Sequence, residues 1–182
     1  MAGALVLVVG PSGAGKDTLI AAGKTALAGD ARYAFPKRVV TRDAVAELED
    51  HDSVSREQFA ARLEAGDYAL NWDAHGLSYG LPASLVGDLE AGRTVIVNGS
   101  RAAVMEARRR FPQTRVILVD ASAEVRATRL AGRGRETAVE IAERLKREVP
   151  NALPDAIRVD NSGPLADGIA AFLVALKAIA AD

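Results

Sequence analysis

The segment Gly10-Pro11-Ser12-Gly13-Ala14-Gly15-Lys16-Asp17-Thr18 leaves this chain little choice of fold. It has the form G-x-x-x-x-G-K, follows the continuous apolar run Leu5–Val9, and leads into a helical stretch over residues 15–27. A strand, a glycine-rich turn and a helix in that order make a phosphate cradle. Gly10, Gly13 and Gly15 let the backbone curl so that successive N–H groups point inward at phosphate oxygens. The helix adds its positive N-terminal end, and Lys16 reaches the β- and γ-phosphates as a point charge. A dinucleotide turn of the G-x-G-x-x-G kind is excluded, because its second glycine would fall at Ser12.

The rest of the chain repeats the strand–helix alternation. Apolar runs predict strands at Arg38–Val40, 94–97, 115–119 and 156–159, and helices follow the middle two at 102–110 and 124–130. Ser55 and Gln58 have the spacing of a capping box, which starts a helix carrying Phe59 and Leu63. Pro82 suits the first turn of a helix through Leu85 and Leu89, and Pro164 opens a closing helix with Leu165, Ile169, Phe172, Leu173, Leu176 and Ile179 on one face. Such alternation predicts an α/β protein with a central, mainly parallel sheet flanked by helices. At 182 residues, without a linker or internal repeat, the chain reads as one domain over 1–182, with an acceptor-binding region at about 38–80 and a mobile, Gly- and Arg-rich insert, a lid, at about 130–148.

Composition narrows the function classes. The formal net charge is −1, which excludes a broadly basic nucleic-acid surface. There is no cysteine, so disulfides and thiolate chemistry are out. No basic leader and no apolar run of membrane length is present, and the expectation is a cytoplasmic protein, monomer or homodimer, working without nucleic acid or membrane. Within that neutral total stand 18 Arg against only 5 Lys. Genome bias accounts for a high arginine content, but not for where the arginines stand.

Arginine is the side chain for a bidentate grip on phosphate. It recurs in Arg38-Val39-Val40-Thr41-Arg42-Asp43 and in Asn98-Gly99-Ser100-Arg101, at the end of a buried strand where open α/β sheets bind ligands. A third candidate stretch is Trp72-Asp73-Ala74-His75-Gly76-Leu77-Ser78-Tyr79-Gly80; His75 there is either an acceptor contact or a turn residue before Gly76. Arg126, Arg129, Arg133, Arg135 and Arg144 fall along the lid and its flanks. A lid that closes carrying cations both positions a phosphoryl group and expels water. One position departs from the general loop: Asp17 stands where Ser or Thr normally ligates Mg²⁺, with Thr18 next. Two readings of Asp17 stay open, a Mg²⁺ ligand and an acceptor at the helix N-terminus.

Taken together, the loop, Thr41-Arg42, Tyr79-Gly80, Arg133-Gly134-Arg135 and Asn161 resemble the guanylate-kinase-like P-loop kinases. Val40-Thr41-Arg42-Asp43, His75-Gly76-Leu77-Ser78-Tyr79-Gly80, Val97-Asn98-Gly99-Ser100-Arg101-Ala102 and Arg133-Gly134-Arg135-Glu136 resemble more closely the ribose 1,5-bisphosphate phosphokinases of phosphonate catabolism, over nearly the whole chain. That resemblance implies ATP as co-substrate with Mg²⁺, and a small phosphorylated sugar as acceptor. It implies that residues 10–18 hold the ATP phosphates: Gly10, Pro11, Ser12, Gly13, Ala14, Gly15, Lys16, Asp17 and Thr18. Asp17 or Thr18 would place the metal, and Asn161 would lie near adenine. Lys16, Arg129, Arg133 and Arg135 would serve transfer, and Thr41, Arg42, Tyr79 and Arg101 would bind the acceptor. Residues 44–53 are short, acidic and without an aromatic, where guanylate kinases grip guanine. Rival readings are a nucleoside monophosphate kinase, a gluconate- or shikimate-type kinase using Asp43 as base, and a catalytically silent module.

Overall fold

A computed structural model describes residues 3–42, 51–132 and 153–181. Strand β1 (Leu5–Val9) lies at the centre, parallel to β7 (Thr94–Asn98) on one side and β8 (Thr114–Asp120) on the other. The short β2 (Tyr33–Ala34) extends the sheet beyond β7, and β9 (Ile157–Asp160) extends it beyond β8, giving the all-parallel order β2-β7-β1-β8-β9.

All five side chains of β1 are fully buried, because helices cover both faces of the sheet. Leu5, Leu7 and Val9 face one cluster, filled by Leu85 and Leu89 of α3 (Leu85–Glu90) and by Ala103, Val104 and Ala107 of α4 (Arg101–Arg110). Val6 and Val8 face the other, with Leu19 of α1 (Lys16–Ala26) and Phe172, Ala175 and Leu176 of α6 (Leu165–Ile179). The continuous apolar run is therefore a strand buried on both sides, not an alternating one. Helix α5 (Ala123–Ala131) follows β8, its Ser122 hydroxyl accepting from the Val125 N–H.

A second sheet, in the order β4-β3-β6-β5, is built from β3 (Arg38–Val40), β4 (His51–Ser53), β5 (Tyr68–Ala74) and β6 (Leu77–Pro82). Ala69, Leu70 and Leu81 join the Leu5–Leu7–Val9 cluster and so fix this sheet to the larger one. Between β4 and β5 runs α2 (Arg56–Glu64), opened by the expected capping box: the Gln58 N–H donates to Ser55 Oγ at 3.1 Å, and the Ser55 N–H to Gln58 Oε1 at 3.0 Å.

The structure corrects the reading of 68–82. This stretch is an antiparallel hairpin, with His75 (φ 54°) and Gly76 (φ 74°) as the two-residue turn that positive φ at both places permits. Pro82 does not open a helix; it ends β6, where the missing N–H costs no ladder bond, and α3 begins three residues later.

Candidate active site

The carboxyl ends of β1, β7, β8 and β9 converge on the loop that leaves β1. Gly10 and Gly15 are required there by both conformation and space. Their φ values are 151° and 94°, and a Cβ on Gly10 would strike the Val119 carbonyl oxygen, while one on Gly15 would strike the Asn161 side-chain amide.

Five successive loop carbonyls are taken up by side-chain donors. Lys16 Nζ donates to Gly10 O at 2.8 Å and to Pro11 O at 3.1 Å. Arg126 Nε donates to Ser12 O at 3.0 Å. Arg129 reaches Gly13 O at 3.5 Å and Ala14 O at 3.3 Å, and Asn161 Nδ2 donates to Ala14 O at 2.8 Å. In a planar trans peptide the N–H points opposite to the carbonyl. Fixing the carbonyls therefore also fixes the directions of the amides that follow them, and α1, which starts at Lys16, sets the positive end of its dipole at the loop. The loop is preset as an anion cradle.

Asn161 is 1% exposed. Its side-chain amide supports Ala14, its backbone N–H donates to Asp120 O at 2.8 Å, and its carbonyl accepts from Arg129 at 2.9 Å. It thus welds the ends of β8 and β9 to the loop and to α5. Sequence reading missed this supporting geometry, because it depends on strand order.

Asp17 stands in the first turn of α1 and turns its carboxylate to the end of β7, where Asn98 Nδ2 donates to Asp17 Oδ1 at 2.5 Å. Thr18 is exposed. The oxygen of the Asn98 amide, Oδ1, is buried and has no hydrogen-bond partner among the described residues. Carboxylate and amide oxygens are hard donors that suit Mg²⁺, which takes few protein ligands beside substrate phosphates and water. The residues present fit that ion. Among the described residues no group of three or more His, Cys, Asp and Glu could hold a metal by itself.

Arg101 opens α4, half-buried, near Asp120, Arg126 and Arg158. Burial pushes its guanidinium pKa down, Asp120 pulls it up, and the two neighbouring arginines push it down again. This is a site where positive charge is crowded and partly desolvated.

The remaining expected positions lie on the second sheet. Thr41 is 7% exposed, and its Oγ1 accepts from the Ser78 N–H at 2.8 Å while its own N–H donates to Ser78 O at 3.0 Å. The pair continues the β3–β6 ladder and sets the backbone from which half-buried Arg42 projects. Tyr79 lies opposite Trp72 across the hairpin, the rings stacked at 5.4 Å and 5°, with the Arg38 guanidinium 5.5 Å from the Tyr79 centroid. Arg133, Arg135, Arg144 and Asp43 fall outside the described residues.

Comparison with known proteins adds the family. No family model matches the chain. A ribose 1,5-bisphosphate phosphokinase from Acidiphilium cryptum is 52% identical over 171 residues, covering 94% of this chain and 91% of the relative. Its counterpart PhnN from Brucella abortus is 46% identical over 180 residues, covering 98% and 94%. The chain belongs to the ribose 1,5-bisphosphate phosphokinase family. This phosphokinase chain also shares its fold with a guanylate kinase from Anaplasma phagocytophilum, at a TM-score of 0.68 and 17% identity over 97% of this chain and 86% of that one. The α/β P-loop architecture is thus common to the two, while the identity to the phosphokinases extends through both sheets.

Proposed function

We propose that this chain transfers the γ-phosphoryl group of ATP to the 1-phosphate of ribose 1,5-bisphosphate, forming 5-phosphoribosyl 1-diphosphate and ADP. An oxygen of the acceptor phosphate attacks the γ-phosphorus, and the bond from that phosphorus to the β–γ bridging oxygen breaks. The observation that carries the acceptor is the near-full-length identity to relatives named for it. The site adds that the strand ends around the loop bring in arginine, with no carboxylate base needed. A phosphate monoester is already largely dianionic at neutral pH, its second pKa lying near about 6.

Placement supports the following roles. Residues 10–18 wrap the ATP phosphates, and Lys16 stabilises charge on the transferring group. A Mg²⁺ ion, when bound, neutralises charge on the β- and γ-phosphates, and Asp17, turned inward where Thr18 is exposed, is the residue that would hold it. Arg42, Tyr79 and Arg101 hold acceptor phosphates, with Thr41 fixing the backbone at Arg42. Arg129 is assigned to the transfer together with Arg133 and Arg135. Asn161 supports the loop from beneath and lies on the nucleotide side. The test is ADP release from ATP with ribose 1,5-bisphosphate, GMP, ribose 5-phosphate and gluconate as parallel acceptors. Release with the bisphosphate, and 5-phosphoribosyl 1-diphosphate among the products, is expected; release with GMP alone overturns the assignment.

A further inference from the structure

We infer that Asp17 and Asn98 form one metal-positioning unit in which the two halves of the usual P-loop pair have exchanged places. In P-loop proteins generally, a hydroxyl follows the loop lysine and an acid stands at the end of a neighbouring strand, and the two together place the ion. Here the acid follows Lys16, and a neutral amide ends β7, the strand paired with β1. The two side chains meet at 2.5 Å although 81 positions apart in the chain.

The chemistry of the contact sets both orientations. An ionised carboxylate only accepts, so Asn98 must present its NH₂ to Asp17. That fixes Asp17 Oδ1 and leaves Oδ2 as the oxygen available for a cation or its water. It also turns Asn98 Oδ1 away from Asp17, where it is buried and has no partner among the described residues. An acceptor in that state lacks a donor, and a water held by a bound Mg²⁺ would supply one. The amide is carried on a rigid mount: the next residue, Gly99, donates its N–H to Val8 O at 3.0 Å, continuing the β1–β7 ladder. Asn98 cannot be an aspartate beside Asp17 without setting two carboxylates in contact, so the exchange is a coupled one. Asn98 is a positioning residue, acting through Asp17.

The inference rests on the loop being the ATP site, and the experiment separates the two. ATP affinity is measured with EDTA and with Mg²⁺ for wild type, Asp17→Ser, Asn98→Ala, and the exchanged pair Asp17→Ser/Asn98→Asp; Mn²⁺ electron paramagnetic resonance with ATP reports the bound ion directly. Outer partners of metal ligands are typically worth about 10–100-fold in affinity. The metal-dependent gain in ATP affinity, and the bound Mn²⁺ signal, should fall about tenfold in both single variants, and the exchanged pair should recover most of it. An unchanged gain in Asn98→Ala, or an exchanged pair no better than Asp17→Ser, overturns the exchange and leaves the ATP site standing. Wild type that binds no ATP under either condition overturns the reading of the loop itself. Because Asn98→Asp conserves volume, the exchanged pair decides the matter even if Asn98→Ala fails to fold.

Discussion

Lys16 and Asn161 hold the same loop in opposite ways. Lys16 lends its ammonium to the carbonyls of Gly10 and Pro11, two half-buried residues, and in catalysis would exchange them for phosphate oxygens. Lys16→Met keeps the aliphatic stem and removes the charge. Turnover should fall about 100-fold or more, the usual cost of one charge-stabilising donor, with an unchanged melting curve; near-normal turnover would remove Lys16 from the chemistry. Asn161 has no such freedom, since its amide donates to Ala14 O from a fully enclosed position. Asn161→Asp sets an acceptor against an acceptor. Unfolding free energy should drop by about 1–3 kcal/mol, the cost of an unsatisfied buried group, and ATP affinity should fall with it. A urea titration read alongside nucleotide binding checks both, and loss of affinity without loss of stability would contradict a supporting role.

At the scale of elements, what could be read from residues was whatever carries its own signal. β1 is a five-residue apolar run with a glycine stop, and α2 announces itself through Ser55 and Gln58. Ser55→Ala removes one half of that box and should cost about 1 kcal/mol, lowering the urea midpoint without changing its slope. The hairpin from Tyr68 to Pro82 was not legible as strands, because its turn uses His75-Gly76 and its inner face is stabilised by ring stacking with α2 and across the hairpin. Phe59 of α2 stacks on Tyr68 at 4.6 Å, a contact that exists only after the chain has folded back. β2, two residues long, has no sequence period at all. The turn before β2 carries a pH dependence. Hydrogen bonds from the Arg32 side chain and backbone hold the Asp30 carboxyl at about 2, below its ordinary 3.8. A depressed folded pKa adds stability that is present above pH 3.8 and is lost as pH falls through 2. The difference in urea midpoint between wild type and Asp30→Asn should therefore be present at pH 6 and much reduced at pH 2, where the folded carboxyl is about half protonated; a difference as large at pH 2 as at pH 6 would contradict the pairing.

Across the whole molecule, a net charge of −1 coexists with arginines gathered at one edge of the parallel sheet. The glycine loop and the arginine motifs were visible in the sequence, but which strand ends face each other was not. The contact from Asp17 to Asn98 needs β7 beside β1, and the contacts from Arg126 and Arg129 to the loop need α5 to return across it. Arg101 shows what that convergence does to charge. Taken alone, an exposed arginine after a strand is ordinary. Beside Arg126 and Arg158, and partly withdrawn from water, it is a cation whose field is poorly screened, answered by Asp120. An anionic acceptor relieves that crowding when it binds. Arg101→Ala should therefore raise the acceptor KM about tenfold or more, as expected for a charge-assisted hydrogen bond, while the KM for ATP changes little. Arg101→Lys should recover only part of the loss, since an ammonium restores the charge without the planar fork. Added salt should raise the acceptor KM of wild type more steeply than that of Arg101→Ala. Equal salt dependence in the two proteins, or an acceptor KM untouched by the substitution, would place the acceptor phosphates elsewhere on this edge.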